Sequence, residues 1–397
     1  MAVSRKSPFF ILILASLMTL GPMGIDMYLP SLPAMIAHFG TDTATGQLTM
    51  SVFMLGFGGG QIMMGPLTDR LGRKPVMLTG LVLFAVASLL CAFSTSIEML
   101  LAARFLHGLA GASGPVISRA IVRDSFDGAR AASLFGYLAA LMAVVPMGAP
   151  ILGGILHDAY GWQSIFLAMV ALAALVFGFY GFGMAETLPP EKRITLRLST
   201  IIANWKTLLG DTYFLGFIIC TALLMGALMS FVTSASVVFQ SVFGLGPQTF
   251  SYFFAAMVSG FIIGSLTTGR LSKVIGPHRL VTIGLLLVAA GSLNQLLWAV
   301  LAEPTLWSLM AGQISVSLGF GLASPQLNAK AMQNYPRMAG TASSLIGSSQ
   351  MAMAALAAYV TGALFDGTAG PLCYMTAAFG LSSVVVWAVR IRPSIAE

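Results

Sequence analysis

The stretch Leu20-Gly-Pro-Met-Gly-Ile-Asp-Met-Tyr-Leu-Pro-Ser-Leu-Pro33 closes an apolar run that begins at Phe9, and it contains one carboxylate, Asp26. The run is long enough to cross a bilayer as a helix, because a span needs about 20 apolar residues. An ionisable residue inside such a span costs roughly 2.5–3.5 kcal/mol on insertion scales, which makes it a candidate functional residue. At roughly 1.5 Å per residue, Asp26 lies in the outer third of the bilayer. The alternative is therefore a wetted, structural acid at the mouth of the helix.

The composition predicts an integral membrane protein. Of the 397 residues, 57% are hydrophobic and only 8% are charged, whereas soluble domains carry about 25% charged residues. The net charge of +7 does not indicate a nucleic-acid partner, because the cations form short clusters between apolar runs. Cys91, Cys220 and Cys373 lie inside apolar runs, without the spacing of metal ligands or of a disulfide framework. We therefore predict no metal site and no cofactor, and the lipid bilayer as the surroundings.

Twelve apolar segments are each long enough to cross the membrane as a helix. We therefore expect an all-α membrane protein whose two termini lie on the same side. The predicted segments are 9–30, 45–65, 76–95, 99–118, 131–155, 163–184, 213–235, 249–268, 280–300, 305–327, 340–363 and 371–389.

The distribution of charge predicts the orientation of these spans. If the N-terminus is placed inside, every Lys and Arg except Arg104 and Lys330 falls on one side of the membrane. The loops of the other side then carry only acids. Cytoplasmic loops are enriched in Lys and Arg, so both termini are predicted to be cytoplasmic.

A long polar interval divides the predicted spans into six and six. We predict an N-terminal six-helix bundle over 1–188, a cytoplasmic linker over 189–212 and a C-terminal six-helix bundle over 213–397. The halves resemble each other, since Gly65-Pro-Leu-Thr-Asp-Arg-Leu-Gly72 follows the second span and Gly269-Arg-Leu-Ser-Lys-Val-Ile-Gly276 follows the eighth. Parallel repeats of this kind hold their substrate near the membrane midplane, in a central cavity between the two bundles. Chance similarity in apolar sequence is the alternative.

The loop Gly65-Pro-Leu-Thr-Asp-Arg-Leu-Gly-Arg-Lys74 resembles the signature G-x-L-a-D-r-x-G-r-k of the major facilitator superfamily. The second-half copy departs from this pattern, because Lys273 stands where the acid is expected. The resemblance implies a cytoplasmic latch that favours the outward-facing state; ordinary solvated charges are the alternative. The implied latch residues are Gly65, Asp69, Arg70, Gly72, Arg73 and Asp124.

Two further patterns are similar to those of proton-coupled drug transporters within that superfamily. Leu101-Ala-Ala-Arg-Phe-Leu-His-Gly-Leu-Ala-Gly111 resembles their l-x-x-x-R-x-x-q-G-x-g pattern, with His107 in place of the usual Gln. The span-five stretch Pro146-Met-Gly-Ala-Pro-Ile-Leu-Gly-Gly154 resembles the antiporter signature g-x-x-x-G-P-x-x-G-G, with Ala149 before the second proline. Generic helix packing is the alternative for this second pattern. The implied antiporter-motif residues are Pro146, Gly148, Pro150, Gly153 and Gly154.

Four stretches spread along the chain resemble the Bcr/CflA group, the bicyclomycin-resistance type of multidrug exporter. They are 26–30, 118–124, 186–193 and 338–345. The resemblance implies a monomeric, proton-driven efflux antiporter of the bacterial cytoplasmic (inner) membrane. It would export small amphipathic or antibiotic molecules, bicyclomycin- or chloramphenicol-like, by alternating access. A proton-coupled transporter of a small metabolite on the same fold is the alternative. An enzyme is not expected, because the chain has no P-loop and no His-Glu-x-x-His helix.

The candidate proton-coupling residues are Asp26, Arg104 and His107. Span four descends from outside, so Arg104 lies at a depth similar to that of Asp26, and His107 lies one turn away on the same helical face. A packed, hydrogen-bonded histidine is the alternative to a proton relay. The substrate-binding candidates, inferred from the superfamily's cavity-lining helices, are Tyr28, Tyr137, Phe254 and Asn328. Lys330 either lines the cavity or extends to the cytoplasmic face.

Overall fold

The computed structural model describes residues 7–193 and 198–391, and within these ranges the chain is helical and contains no β-strand. The first helices are α1 (Pro8–Asp26), α2 (Leu32–Phe39), α3 (Thr43–Leu71), α4 (Arg73–Ala92), α5 (Ile97–Gly111), α6 (Ser113–Ser125), α7 (Gly128–Tyr160) and α8 (Gln163–Gly183). The remaining helices are α9 (Leu198–Gly210), α10 (Thr212–Val237), α11 (Pro247–Ile275), α12 (Pro277–Leu301), α13 (Leu306–Gln333), α14 (Ala339–Ala363) and α15 (Gly370–Val386).

Each of the twelve predicted segments falls on a long helical segment of the described chain. Ten of these segments are long and apolar enough to cross a membrane, and α7 and α14 coincide with the other two predictions. Two spans contain a break: α1 and α2 together form the segment Pro8–Phe39, and α5 and α6 form Ile97–Ser125. The short helix α9 lies between the two sets of six. The all-helical prediction is therefore confirmed, although the helices extend several residues beyond the apolar windows.

Short polar residues mark where several helices begin. The side chain of Asp42 accepts a hydrogen bond of 2.7 Å from the backbone N–H of Thr45 and so caps α3. Thr305 and Ser308 form a reciprocal capping box at the start of α13. Such caps satisfy backbone donors that have no partner inside the helix. The polar residues between the apolar runs therefore fix the helix starts.

Gly72 and Gly276 occupy corresponding positions in the two halves. Gly72 separates α3 from α4 with a φ of 102°, and Gly276 separates α11 from α12 with a φ of 83°. Only glycine adopts such angles without strain, so each residue allows a sharp reversal between two long helices. The shared geometry supports the sequence repeat that includes both loops.

The helices pack into two bundles that meet mainly along two helix pairs. Within the first bundle α3 packs against α5, and α4 against α8; within the second α11 and α12 both pack against α13. Between the bundles α3 packs against α14 and α7 against α11. Since α3 corresponds to α11 and α7 to α14 in the repeat, the two contacts are related by the same internal symmetry. This is the two-bundle architecture that the sequence predicts.

The end of the bundles at which α1 begins is called the terminal side. The opposite end, where α2 ends and α3 begins, is called the far side. Arg5, Lys6, Arg197 and Arg392, four of the cations predicted on the terminal side, lie outside the described residues.

Candidate functional site

A cavity of about 360 Å³ lies between the two bundles. Eight helices line it, four from each half: α1, α3, α6 and α7 from the first, and α10, α11, α13 and α14 from the second. A site shared by both repeats is the arrangement expected when two halves rock around a central ligand. The cavity is therefore the candidate functional site.

The wall of the cavity is mostly apolar and rich in sulfur and aromatic rings. Its methionines are Met18, Met142, Met225, Met229, Met257 and Met351, and its phenylalanines are Phe57, Phe231, Phe254, Phe261 and Phe320. Methionine side chains are flexible and polarisable, so such a wall adapts to ligands of different shape. The lining also contains a few polar groups: Asp26, Gln61, Arg119, Gln313 and Ser317.

Asp26 is the one acid in the described lining. It is the last residue of α1, its exposed fraction is 7%, and it faces the cavity. Its carboxyl group has no hydrogen bond and no ion pair with any residue in ranges 7–193 and 198–391. A buried acid without a protein partner can exchange a proton or contact a ligand without first breaking an internal bond.

Arg104 is fully buried beside α1, but it does not pair with Asp26. One Nη donates a hydrogen bond of 3.0 Å to the backbone oxygen of Gly24. The guanidinium also lies between two rings, 4.4 Å from the centroid of Tyr28 and 4.3 Å from that of Phe53. The faces of aromatic rings attract cations, and here two rings, rather than a carboxylate, stabilise the positive charge of Arg104. Arg104 therefore contacts the backbone two residues before Asp26 rather than its carboxyl group.

Both ring nitrogens of His107 have partners. Nδ1 lies 3.2 Å from Nη1 of Arg104, and Nε2 lies 3.1 Å from the hydroxyl of Ser88. Arginine can only donate, so Nδ1 accepts and Nε2 carries the proton. The ring is fully buried and packs 4.2 Å from that of Phe84. His107 is thus a neutral link between Arg104 and α4, and it is not among the described cavity-lining residues.

The four residues suggested for substrate binding occupy different surroundings. Phe254 lines the cavity. Tyr28 is fully buried, with its hydroxyl hydrogen-bonded to Thr49 and its ring under Arg104. Tyr137 is 61% exposed, and Asn328 accepts a hydrogen bond of 3.4 Å from Gln350. The cavity thus includes only Phe254 of these four. Lys330 lies in the last turn of α13, half-buried and outside the described lining.

Arg119, Gln61 and Gln313 line the cavity, although sequence reasoning did not select them. The hydropathy window ends at residue 118, so Arg119 was expected at the membrane surface on the terminal side. The structure continues α6 to Ser125, which leaves Arg119 two turns inside the helix end. The arginines at 119 and 123, four residues apart, are the feature of the sequence that indicates a helix continuing beyond residue 118.

Three predicted latch residues form one network on the terminal side. Arg73 pairs with Asp69 on α3, and its Nε donates a hydrogen bond of 2.9 Å to Asp124 near the end of α6. Arg73 also bonds the hydroxyl of Thr68 at 3.0 Å. Gly72, with its φ of 102°, forms the turn that brings Arg73 into place. Arg70 is exposed, and the carbonyl of Gly65 accepts a hydrogen bond of 3.0 Å from the hydroxyl of Thr68. The described network lies entirely within the first half.

Glu186 extends this network, and sequence reasoning gave it no role of its own. Its carboxylate accepts hydrogen bonds from the backbone N–H groups of Arg73 and Lys74, at 2.9 and 3.0 Å, and from those of Thr187 and Leu188. It therefore caps the start of α4, where a negative charge is favourable. Partial burial opposes its ionisation, but the four backbone donors outweigh that effect and lower the pKa of Glu186.

The antiporter-motif residues of α7 make close contacts with both halves. A Cβ on Gly153 would lie 2.0 Å from the backbone oxygen of Met27, and one on Gly154 would lie 2.7 Å from the hydroxyl of Ser251. The carbonyl of Pro150 accepts a hydrogen bond of 2.8 Å from the same hydroxyl. Pro146 lines the cavity, and Gly148 faces open space. The two glycines let α7 approach the end of α1 and the start of α11.

Hydrogen bonds between the halves gather on the far side of the cavity. Within the described residues, the far-side bonds are Ser234 Oγ to Gln47 Oε1 (3.2 Å), Ser236 Oγ to Leu29 O, Gln240 Nε2 to Pro30 O (2.9 Å) and Ser251 Oγ to Pro150 O (2.8 Å). A fifth bond, from Ser348 to the carbonyl of Gly58 at 2.9 Å, lies near the middle of its helices. The two halves are therefore joined on the far side in this state.

The described residues contain no group of three His, Cys, Asp or Glu side chains that could hold a metal ion. The three cysteines are free and buried. The described lining of the cavity combines a flexible apolar wall with one acid, one guanidinium and the polar side chains of Gln61, Gln313 and Ser317.

This chain is similar to known proteins in both sequence and fold. Residues 14–358 fit the family model described as Major Facilitator Superfamily. The chain is 31% identical over 388 residues to a bicyclomycin resistance protein homolog of Haemophilus influenzae, covering 96% of each chain. It is 30% identical over 391 residues to multidrug resistance protein MdtL of Klebsiella pneumoniae, covering 98% of this chain and 97% of that one. The crystal structure of the nucleoside transporter NupG (D323A mutant) superposes with a TM-score of 0.75 at 15% identity, over 95% of this chain and 97% of that one.

Proposed function

The chain belongs to the Major Facilitator Superfamily, and from this premise we propose that it is a proton-driven multidrug efflux antiporter. As a member of that family it is a multi-pass membrane transporter and not an enzyme. Two relatives that match over nearly the whole chain carry names of drug-resistance proteins. The substrates proposed here are small amphipathic or antibiotic molecules, similar to bicyclomycin or chloramphenicol.

The observation that carries the proposal is the position of Asp26. It is the one acid in the described lining of a cavity shared by both bundles, and no described residue pairs with it. A protonated carboxyl there carries no charge, whereas the carboxylate attracts a hydrogen-bond donor of a substrate. Protons and substrate therefore compete for one group, which is the requirement for exchange.

Alternating access supplies the second part of the mechanism. The bonds from Ser236 and Gln240 to the carbonyls of Leu29 and Pro30 close the far side. Rocking of the bundles would break these bonds and expose Asp26 to the far side, where it takes up a proton. Return to the present state would release that proton toward the terminal side as substrate binds. The network of Asp69, Arg73 and Asp124 serves as the proposed latch for the opposite, outward-facing state.

Arg104 and His107 act on Asp26 through the backbone in this proposal. Arg104 binds the carbonyl of Gly24 at 3.0 Å, and His107 anchors Arg104. They would hold the end of α1 in place while the carboxyl group gains and loses its proton. We assign them to positioning, and we assign the exchange itself to Asp26.

Orientation gives the direction of transport. The distribution of Lys and Arg supports cytoplasmic termini in a bacterial inner membrane, so the far side is the outer side and the present state faces inward. The proposed unit is a monomer with bundles at 1–188 and 213–397, joined by the linker 189–212. One proton per cycle is proposed, because one acid faces the cavity. Entry of one positive charge releases about 2.3 kcal/mol for each 100 mV of membrane potential. Export of a neutral molecule in exchange for one proton therefore uses the membrane potential as well as the pH gradient.

Inverted membrane vesicles with an imposed acid-inside gradient test this function. Addition of a chloramphenicol-like substrate should discharge the gradient in vesicles with the native protein, and Asp26→Asn should abolish the discharge. Asp42→Asn is the matched control, since Asp42 is an exposed cap of α3 and asparagine caps helices equally well. Equal discharge by the native and Asp26→Asn proteins would remove Asp26 from coupling. Uptake into whole cells that collapses with an uncoupler would instead indicate import of a metabolite.

A further inference from the structure

We propose that the cavity selects elongated amphipaths with an anionic or strongly hydrogen-bond-accepting end, which Arg119 binds, while Gln313 pairs with a second polar group of the ligand and methionine and phenylalanine contact its apolar body. Organic cations without such an end are disfavoured. This inference rests on the proposed function and specifies the substrate class of the same cavity.

Arg119 is the one cation in the described lining of the cavity. Its Nε donates a hydrogen bond of 2.9 Å to the carbonyl of Pro115 on the same helix. It forms no ion pair with an acid of the described chain, so its remaining guanidinium donors face the cavity without a protein partner. A guanidinium presents several donors in a planar fork that suits a carboxylate or another oxygen-rich group. The geometry thus provides a site for acceptor atoms.

Gln313 gives a second, independent indication of a ligand. Its exposed fraction is 1%, yet neither its amide nitrogen nor its amide oxygen has a hydrogen-bond partner among the described residues. Unpaired buried amides are costly, so a bound group that pairs with one gains affinity, and a molecule that cannot pair with it is rejected. Gln313 lies on α13 of the second half, whereas Arg119 lies on α6 of the first. A ligand that binds both therefore connects the two bundles.

The two charges of the cavity lie at different depths. Asp26 is roughly 27 Å along α1 from the start of that helix, and Arg119 is roughly 9 Å from the terminal-side end of α6. An elongated ligand can therefore place a donor near Asp26 and an acceptor near Arg119. When Asp26 is ionised the described lining is neutral overall, and when it is protonated the lining is positive. A cation is attracted near Asp26 only while that carboxyl group is ionised, whereas near Arg119 it is repelled in both states.

Equilibrium binding to the purified protein in detergent tests this selection. The probes are a phenylalkyl carboxylate, its primary amide and the trimethylammonium compound of the same length. We expect the native protein to bind the carboxylate and the amide more tightly than the trimethylammonium compound. Arg119→Gln should weaken carboxylate binding about tenfold or more without weakening the ammonium compound, and Arg119→Lys should retain most of the affinity. Gln313→Leu should weaken the binding of a probe that carries a second amide at its phenyl end, leaving the single-ended carboxylate unaffected.

Arg279→Gln is the matched control, because Arg279 is exposed on α12 and lies outside the cavity lining. Equal weakening of all three probes by Arg119→Gln, or no weakening of the carboxylate, would overturn the proposal. If Arg119→Gln does not fold, binding to the native protein alone tests the proposal. Tighter binding of the trimethylammonium compound than of the carboxylate would also overturn the proposal. These affinities are measured without a proton gradient. A failure of coupling in vesicles and a failure of this selectivity can therefore be told apart.

Discussion

The guanidinium of Arg104 donates a hydrogen bond of 3.0 Å to the backbone oxygen of Gly24, two residues before Asp26. This bond joins α5 to the last turn of α1, where the helix ends and the chain turns into Met27 and Tyr28. Because the ring of Tyr28 lies on the other side of the same guanidinium, the cation holds both sides of this turn. The position of the proposed proton site thus depends on a residue that never contacts its carboxyl group.

Arg104→Lys is predicted to reduce transport at least tenfold while the protein still inserts. A lysine keeps the charge but loses the planar contact with Tyr28 and Phe53, and its ammonium does not reproduce the bond geometry at Gly24. Loss of that bond and of part of the ring attraction costs about 1–3 kcal/mol. Thermal unfolding and substrate-induced proton release are the measurements. Arg123→Lys, on an exposed position of α6, is the control, and equal activity of both variants would contradict the positioning role.

Glu186→Gln is predicted to destabilise the terminal-side network. The amide accepts fewer and weaker bonds from the N–H groups that now bind the carboxylate, at an expected cost of about 1–3 kcal/mol. The folded pKa of Glu186 is lowered from its ordinary value of 4.5, mainly by backbone donors that outweigh burial. The charge therefore stabilises the fold above pH 4.5, and this contribution is lost as pH falls through the lowered value.

Thermal unfolding in detergent as a function of pH tests this expectation. The difference between the native protein and Glu186→Gln should be largest at neutral pH and should shrink in acid. Glu191→Gln provides the control, because Glu191 is exposed in the neighbouring turn. A constant difference at all pH values would show that the charge of Glu186 is not the source of the stabilisation.

The sequence predicts this fold well because its main signals are local. Apolar windows identify every span, and the glycines at 72 and 276 identify the equivalent turns of the two halves. The geometry of the latch loop is also local, since Asp69 and Arg73 are four residues apart across the Gly72 turn and pair in the structure. Such local patterns can be interpreted without knowing which helices pack against each other.

The site is harder to predict because it depends on how helices face one another. Asp26 and Phe254 line the cavity, but Tyr28, two residues after Asp26, points the other way and contacts Arg104 and Thr49. The sequence predicts a surface position for Arg119 because the apolar window of span four ends at residue 118, one residue before it. The role of Glu186 was missed because its partners are backbone N–H groups more than a hundred residues away. Only packing brings these groups together.

Gly153→Ala is predicted to impair transport at least tenfold, whereas Gly148→Ala should not. A Cβ at position 153 would lie 2.0 Å from the backbone oxygen of Met27, so α7 would have to move away from the end of α1. Position 148 faces open space, and alanine favours a helix over glycine there by about 1 kcal/mol. Transport in proteoliposomes and thermal stability are measured together. Similar activity of the two variants would show that the close approach of α7 is not required.

The double variant Ser236→Ala/Gln240→Leu is predicted to open the far side. Both side chains donate hydrogen bonds to carbonyls of the turn after α1, and both bonds join the two halves. Removing them costs about 1–3 kcal/mol, which changes the ratio of closed to open states about 5- to 150-fold. The reporter is a cysteine at Leu32, a residue that is 0% exposed in α2. Its labelling by a membrane-impermeant maleimide should rise severalfold when the halves separate.

Gln248→Leu is the matched control for this prediction. The side chain of Gln248 donates a hydrogen bond of 3.0 Å to Tyr252 on the same helix, and this bond does not connect the two halves. Labelling should be unchanged in that protein. Substrate that binds the present state should protect the reporter in the double variant, since a ligand can shift an equilibrium only toward the state it prefers. Equal labelling of the double variant and the control would mean that packing between the halves, for example of Gly154 on Ser251, closes the far side without these two bonds.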